Sequence, residues 1–254
     1  MKVHKALSYS ASDARVLKTC ERFRVAKQIQ AVLADFLGRK TLRNQRILDV
    51  GCSSGVISFQ LASFVKSLTG VDVDEAALSL ARKSYKKKNL RFCKASGLNL
   101  PFRNASFDIV ICNEVYSYVP DAKKLMSEIY RVLKIGGCCY FSGGNALFPI
   151  ESRYHIPFLH NLPDEIATKL YWLLTRKQYY IAHYKTYWEL KHLLKKFAII
   201  DYTPVVLQNP YKFSFTKLYS VARITAHLPF PFLRFLELFG PTFIFMLTKD
   251  VSFS

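Results

Sequence analysis

The sequence predicts a doubly wound α/β fold: a seven-stranded, mostly parallel sheet with helices on both faces and a helical lid inserted after the fifth strand. Three observations carry this. Short apolar runs alternate with amphipathic helical stretches through residues 41–145. The first run, Ile47 to Val50, breaks into glycines and serines before a helical pattern resumes. The second closes on an acidic residue, Asp72, at the carboxyl end of a strand.

The elements follow in order. Over residues 21–38, Phe23, Ala26, Ile29, Val32, Leu33 and Phe36 recur at helical spacing and Gly38 supplies a stop. RILDV then reads as a strand, VISFQLASFV as a helix, SLTGVDVD as a strand, EAALSLARKSYKKK as a helix and LRFCKAS as the third strand. FDIVICN suits a central strand, DAKKLMSEIYRVLKIGG reads as a helix closed by its glycines, and CCYFSGG is the fifth strand. From Asn145 to about Lys185 the rhythm stops and the chain turns aromatic and basic, with prolines at 149, 157 and 163; this is the expected lid. TYWELKHLLKKF then reads as a helix, AIIDYTPVVL as a strand and PTFIFMLTK as the last strand. One domain is expected over 1–254, divided into an N-terminal helical extension (1–40), a ligand-binding core (41–145), the lid (146–185) and a C-terminal helix, aromatic loop and two strands (186–254).

Composition narrows the setting. Half of the 254 residues are hydrophobic, enough for one substantial core. The amino end lacks the apolar segment of a secretory signal, so no Sec-type export and a cytoplasmic location are expected. Six cysteines show no C-x-x-C spacing, which favours reduced core thiols over disulfides or a metal site. Lys and Arg number 37 against 18 Asp and Glu, a net charge of +19 that would attract nucleic acid, an anionic membrane surface or a phosphorylated substrate alike. Residues 224–247 have the length of a membrane span. They contain His227, Arg234, Glu237, Gly240 and three prolines, which excludes a bilayer helix but suits a segment lying against a membrane.

The chemistry is expected where the first strand meets its helix, because backbone amides there approach a ligand closely. Gly51 and Gly55 permit a tight turn, and Asp49 offers a carboxylate to a cationic or hydroxylated ligand. Asp72 follows 23 positions later, near the offset at which a carboxylate meets a ribose. Asp74, just before Glu75, is the better helix cap.

Together ILDVGCSSG, GVDVD, LNLPFRNASFDIVICNEV and LMSEIYRVLKIGG resemble the class I S-adenosylmethionine-dependent methyltransferases, in the broad group of ubiquinone and menaquinone methyltransferases, over residues 40–145. The resemblance implies a Rossmann-like fold and S-adenosyl-L-methionine as cofactor. It implies that Asp49, Gly51, Cys52, Ser53 and Gly55 hold the methionine part, Asp72 the ribose hydroxyls, Val73 one adenine face, Ser96 and Gly97 the adenine edge, and Asn113 the methionine moiety through its backbone. Glu114 and Val115 would begin the loop over the methyl group. Two positions depart from the pattern: Ser53 replaces the middle glycine, and Ser96 replaces an acidic residue. A non-catalytic cofactor-binding protein therefore stays open.

Asn113-Glu114-Val115-Tyr116 lacks the prolines of amino-methyltransferases, which disfavours RNA or other nucleic acid as substrate. A small-molecule or lipid/isoprenoid-like acceptor, methylated on O or C, is the leading expectation. The lid offers Glu151, Tyr154 and His155 as catalytic groups, with His160, His183, Tyr116 and Tyr118 beside them. Interleaved basic and aromatic residues after Arg176 point to an anionic membrane surface as partner.

Overall fold

The computed structural model describes residues 19–150, 154–176, 179, 181–214, 225 and 227–249. Helix α1 (Thr19–Leu37) ends where Gly38 takes φ 82, and the one-turn α2 (Arg39–Leu42) leads into β1 (Arg46–Val50). There follow α3 (Val56–Leu61), β2 (Ser67–Asp72), α4 (Glu75–Ser84), β3 (Leu90–Lys94), β4 (Phe107–Asn113), α5 (Ala122–Val132) and β5 (Leu133–Gly144). Beyond the sheet's fifth strand come α6 (Asp164–Thr175), α7 (Tyr187–Leu193), β6 (Ala198–Asp201), α8 (Thr203–Gln208), α9 (Phe230–Glu237) and β7 (Thr242–Thr248). The seven strands lie in the order β3-β2-β1-β4-β5-β7-β6. The first five are parallel, and β7 runs antiparallel between β5 and β6.

Successive strand residues face opposite layers, and both layers are filled. Ile47, Ile109, Ile111, Tyr140, Ile244 and Met246 pack under Ala26, Ile29, Val32 and Leu33 of α1 and Ile57 of α3. Their neighbours Leu48, Val110, Cys112, Phe141 and Phe245 pack under Leu125 and Ile129 of α5 and Leu190 of α7. Cys52, Cys112, Cys138 and Cys139 are buried, and burial raises each thiol above its ordinary range. Among the described residues no cluster of three metal-ligating side chains occurs, and no helix is long and apolar enough to cross a membrane.

Three boundaries differ from the sequence reading. Helix α4 stops at Ser84: Tyr85 turns extended and its ring packs 4.8 Å from Phe59, so the lysines that follow leave the helix. Helix α5 stops at Val132 rather than at the glycines, because Leu133 already pairs with Phe107; Gly136, at φ 73, lies inside β5. AIIDYTPVVL is not one strand. Asp201 accepts the Thr203 amide at 3.0 Å and Pro204 sits in the first turn, starting α8.

The last helix is joined to the sheet through acid groups. Glu237 is 2% exposed, and its carboxyl lies against that of Asp201, which the Tyr187 hydroxyl also faces. Burial, then the Asp201 charge, pushes Glu237 up to about 8 from an ordinary 4.5. Between those values the folded chain keeps a proton that the unfolded chain has released, so stability falls as pH rises through the window. Urea unfolding is expected to show a midpoint that drops from pH 5 to pH 8, and Glu237→Gln should lessen that slope, leaving the part due to other raised carboxyls such as Asp49. An equal slope in wild type and variant would refute the retained proton.

Candidate active site

The loop after β1 is bound to β2 before it turns. The amides of Gly51 and Cys52 both donate to the Val71 carbonyl, at 2.8 and 3.0 Å, and the Ser53 amide donates to Asp72 Oδ2 at 2.7 Å. Gly51, Ser53 and Gly55 all take left-handed φ, at 73, 50 and 77. Glycine is required at two of these positions for space as well. A Cβ on Gly51 would come within 2.6 Å of Val115 Cγ2, and one on Gly55 within 2.6 Å of the Phe92 ring. Ser53 bears the strain of a side chain in this conformation, and its Oγ is buried without a partner.

Asp49 lies beneath the loop, buried, with one oxygen accepting the Ser58 hydroxyl at 2.5 Å. Burial pushes it up to about 7; the Ser58 bond opposes that shift, and the Asp72 charge adds to it. Asp72, half-buried at the end of β2, is also raised by burial, against the amides of Asp74 and Ser53 that favour its ionised form. Its Oδ1 accepts the Asp74 amide at 2.9 Å. A carboxylate has roughly four lone-pair positions, so acceptor capacity remains for two hydroxyls. Val73 beside it is 51% exposed, an apolar surface with no cover. Asp74 caps α4 by accepting from Ala76 and Ala77.

The remaining cofactor candidates gather at the same edge. Gly97 approaches Val50 and Leu125 so closely that a Cβ would meet them at 3.1 and 2.7 Å. Ser96 Oγ accepts the Leu98 amide at 3.2 Å, which shapes the turn after β3. Asn113 Oδ1 accepts the Ser142 hydroxyl at 2.9 Å, joining β4 to β5. Glu114 takes φ 57, and this turn lays Val115 over Gly51.

The lid candidates are placed differently. Glu151 lies outside the described residues. The Tyr154 ring packs against Tyr171 at 4.4 Å and Tyr179 at 5.2 Å, a packing position, while His155 is exposed at φ 59. His160 Nε2 lies 3.3 Å from the Ala146 carbonyl, and His183 is exposed. Tyr116 is buried and structural: its hydroxyl donates to Gly144 O at 2.6 Å and accepts the Lys185 amide at 3.0 Å.

Sequence reasoning passed over the residues that secure this edge: Ser58 under Asp49, Phe92 against Gly55, and Tyr184 against Gly144. The paired glycines at 143 and 144 held the signal, since glycine inside a strand marks close approach. Cβ atoms there would fall 2.2 Å from the Tyr116 ring and 2.4 Å from that of Tyr184.

Residues 48–141 match the family model described as a methyltransferase domain. They form a class I S-adenosylmethionine-dependent methyltransferase domain. The chain is 31% identical over 110 residues to the ubiquinone biosynthesis O-methyltransferase of Coxiella burnetii, which covers 42% of this chain and 47% of that one. It is 32% identical over 139 residues to the Idiomarina loihiensis protein of the same description, covering 53% and 57%. The alignments thus span about half the length of these relatives. The fold is shared with an S-adenosylmethionine-dependent methyltransferase from Mesorhizobium loti, at TM-score 0.57 and 20% identity over 85% of this chain and 95% of that one. The methyltransferase domain implies S-adenosyl-L-methionine as cofactor, and the pocket edge suits it: a glycine loop without side-chain obstruction, an unoccupied acceptor capacity on Asp72, and exposed Val73.

Because Ser53 occupies a conformation that favours glycine, Ser53→Gly should stabilise the domain by about 1 kcal/mol in chemical denaturation. A loss of stability would mean that the serine hydroxyl has a partner worth more than the strain.

Proposed function

We propose that this chain transfers a methyl group from S-adenosylmethionine to an oxygen or carbon of a small, lipid- or isoprenoid-like acceptor. The observation that carries the proposal is the Gly51–Gly55 loop tied to Asp72, inside a segment matched by the methyltransferase family. The two relatives named for ubiquinone biosynthesis and O-methylation support an oxygen acceptor.

The cofactor supplies an activated methyl on a sulfonium; the chain's task is to bind, align and exclude water. In this reading Asp72 accepts the ribose hydroxyls, Val73 covers the adenine and the Ser96–Gly97 turn borders it. The loop amides, Asp49 and the Asn113 backbone hold the methionine portion. Glu114 and Val115 close over the loop. An acceptor hydroxyl must lose a proton, and His155 and Glu151 are assigned to that role, with Tyr154 fixing the lid segment that carries His155.

A lipid-like acceptor is supported by what the lid and the last helix expose. Trp172, Leu173 and Leu174 on α6 are 53%, 62% and 61% exposed, and Arg176 lies 4.3 Å from the Trp172 ring. Phe232, Phe235 and Phe239, on and just after α9, are exposed too. Asn145 joins the roots of both segments: its side-chain amide donates to the carbonyls of Leu238 and Gly240, and the adjoining Ala146 amide donates to Lys185 O. Aromatic and aliphatic surface on a chain of net charge +19 suits an anionic membrane surface.

Calorimetric titration with S-adenosylmethionine tests the cofactor reading: saturable binding is expected, and Asp72→Ala should abolish it. The absence of binding to the wild type would leave the enzyme reading without support. The ionised form of Asp49 is the one that favours a cationic ligand, and Asp49 titrates at about 7. Affinity should therefore rise by about tenfold from pH 6 to pH 8, with proton release on binding, and Asp49→Asn should remove the dependence. For the membrane reading, flotation with phosphatidylglycerol vesicles should carry the wild type and leave Trp172→Ser/Leu173→Ser mostly behind; equal flotation would exclude the α6 face.

A further inference from the structure

On the face of the sheet covered by α5 and α7, a cavity of about 420 Å³ opens between the first turns of α5 and the end of α7. It shares no residue with the glycine loop, Asp72 or the Ser96–Gly97 turn. Lys123 and Lys124 border it from α5, and His192, Lys195 and Lys196 from α7 and the residues after it. Met126, Leu193 and Phe197 give it an apolar floor. Phe197 is held in place by an edge-on contact with Tyr130 at 5.1 Å.

Several lysines elsewhere on the molecule are committed to partners. Lys134 is paired with Asp108, Lys212 with Asp35, and Lys249 donates to the carbonyls of Tyr130 and Leu133. None of the four cavity lysines makes a side-chain hydrogen bond or an ion pair. The single acid in the lining, Asp121, is committed to the α5 cap, accepting the Lys124 amide at 2.8 Å. Four exposed lysines around one carboxylate leave an excess of positive charge at the cavity mouth, and an arriving anion reduces the repulsion among them.

We propose that this cavity is a phosphate-binding site for a small phosphorylated ligand, separate from the cofactor pocket and independent of the methyl-transfer reading. Lysines hold a phosphate as point charges from several sides, and the apolar floor seats a carbon skeleton attached to it. The phosphate can come from a soluble ester or from a phospholipid headgroup; the chemistry of the site is the same.

The test uses the full chain, glycerol 3-phosphate in low-salt calorimetry, and flotation with phosphatidylglycerol against phosphatidylcholine vesicles. The site variant is Lys124→Gln/Lys195→Gln. The control is Lys40→Gln/Arg43→Gln, equal in charge, exposed and placed on and just after α2, away from any cavity described. Glycerol 3-phosphate binding that weakens tenfold or more in the site variant, and less than twofold in the control, supports a soluble ester. The same contrast seen only with phosphatidylglycerol vesicles supports a headgroup. Equal losses in the two variants would reduce the effect to the overall charge, and binding of neither probe would overturn the site. Cofactor titration should be unchanged in the site variant, so a failure here and a failure of the cofactor reading are separate results.

Discussion

Three consecutive amides after β1, those of Gly51, Cys52 and Ser53, donate to β2, and the edge proposed to hold the cofactor depends on them. They carry the parallel pairing of β1 with β2 past the last strand residue. The chain then reverses into α3 through left-handed positions, with Val115 pressing on the outside of the turn and Phe92 on the far glycine. The cost is strain at Ser53 and a carboxyl, Asp49, buried beneath the loop where it accepts the Ser58 hydroxyl. Such costs are kept where a ligand offsets them.

A second constraint sets the relation between sheet and lid. Tyr116 packs on Gly143 and Tyr184 on Gly144, and the Tyr116 hydroxyl bonds both to the strand and to the backbone of Lys185. The end of β5, the turn after β4 and the return from the lid are thereby held as one piece. What α6 exposes is thus presented from a fixed root.

Much of this was legible in the sequence because it is local. Helical spacing found α1, apolar runs found the strands, and acid at a strand end found Asp72. The boundaries that failed were decided by tertiary pairing: Leu133 leaves its helix because Phe107 is available as a strand partner, and Tyr85 because Phe59 offers a ring. Within the site, loop residues could be named from their pattern, while Ser58 acts from the helix the loop enters and Phe92 and Tyr184 from segments distant in sequence, none with a local signature. The acid pair of Asp201 and Glu237 is of the same kind, since nothing in either neighbourhood announces the other.

The reversed direction of β7 has a consequence for how the molecule divides its tasks. Since β7 starts beside Gly144 and ends beside Cys138, the segment before it must arrive at the edge where the first five strands end. The topology therefore delivers α9 to the end of the sheet from which the lid departs, although 85 positions separate Asn145 from Phe230. Everything that grips the cofactor in the proposed reading is built by residues 49–115, and the lid and α9 are gathered at one rim. The arrangement is modular: in the proposed reading the acceptor side is built apart from the cofactor side and meets it only at that rim.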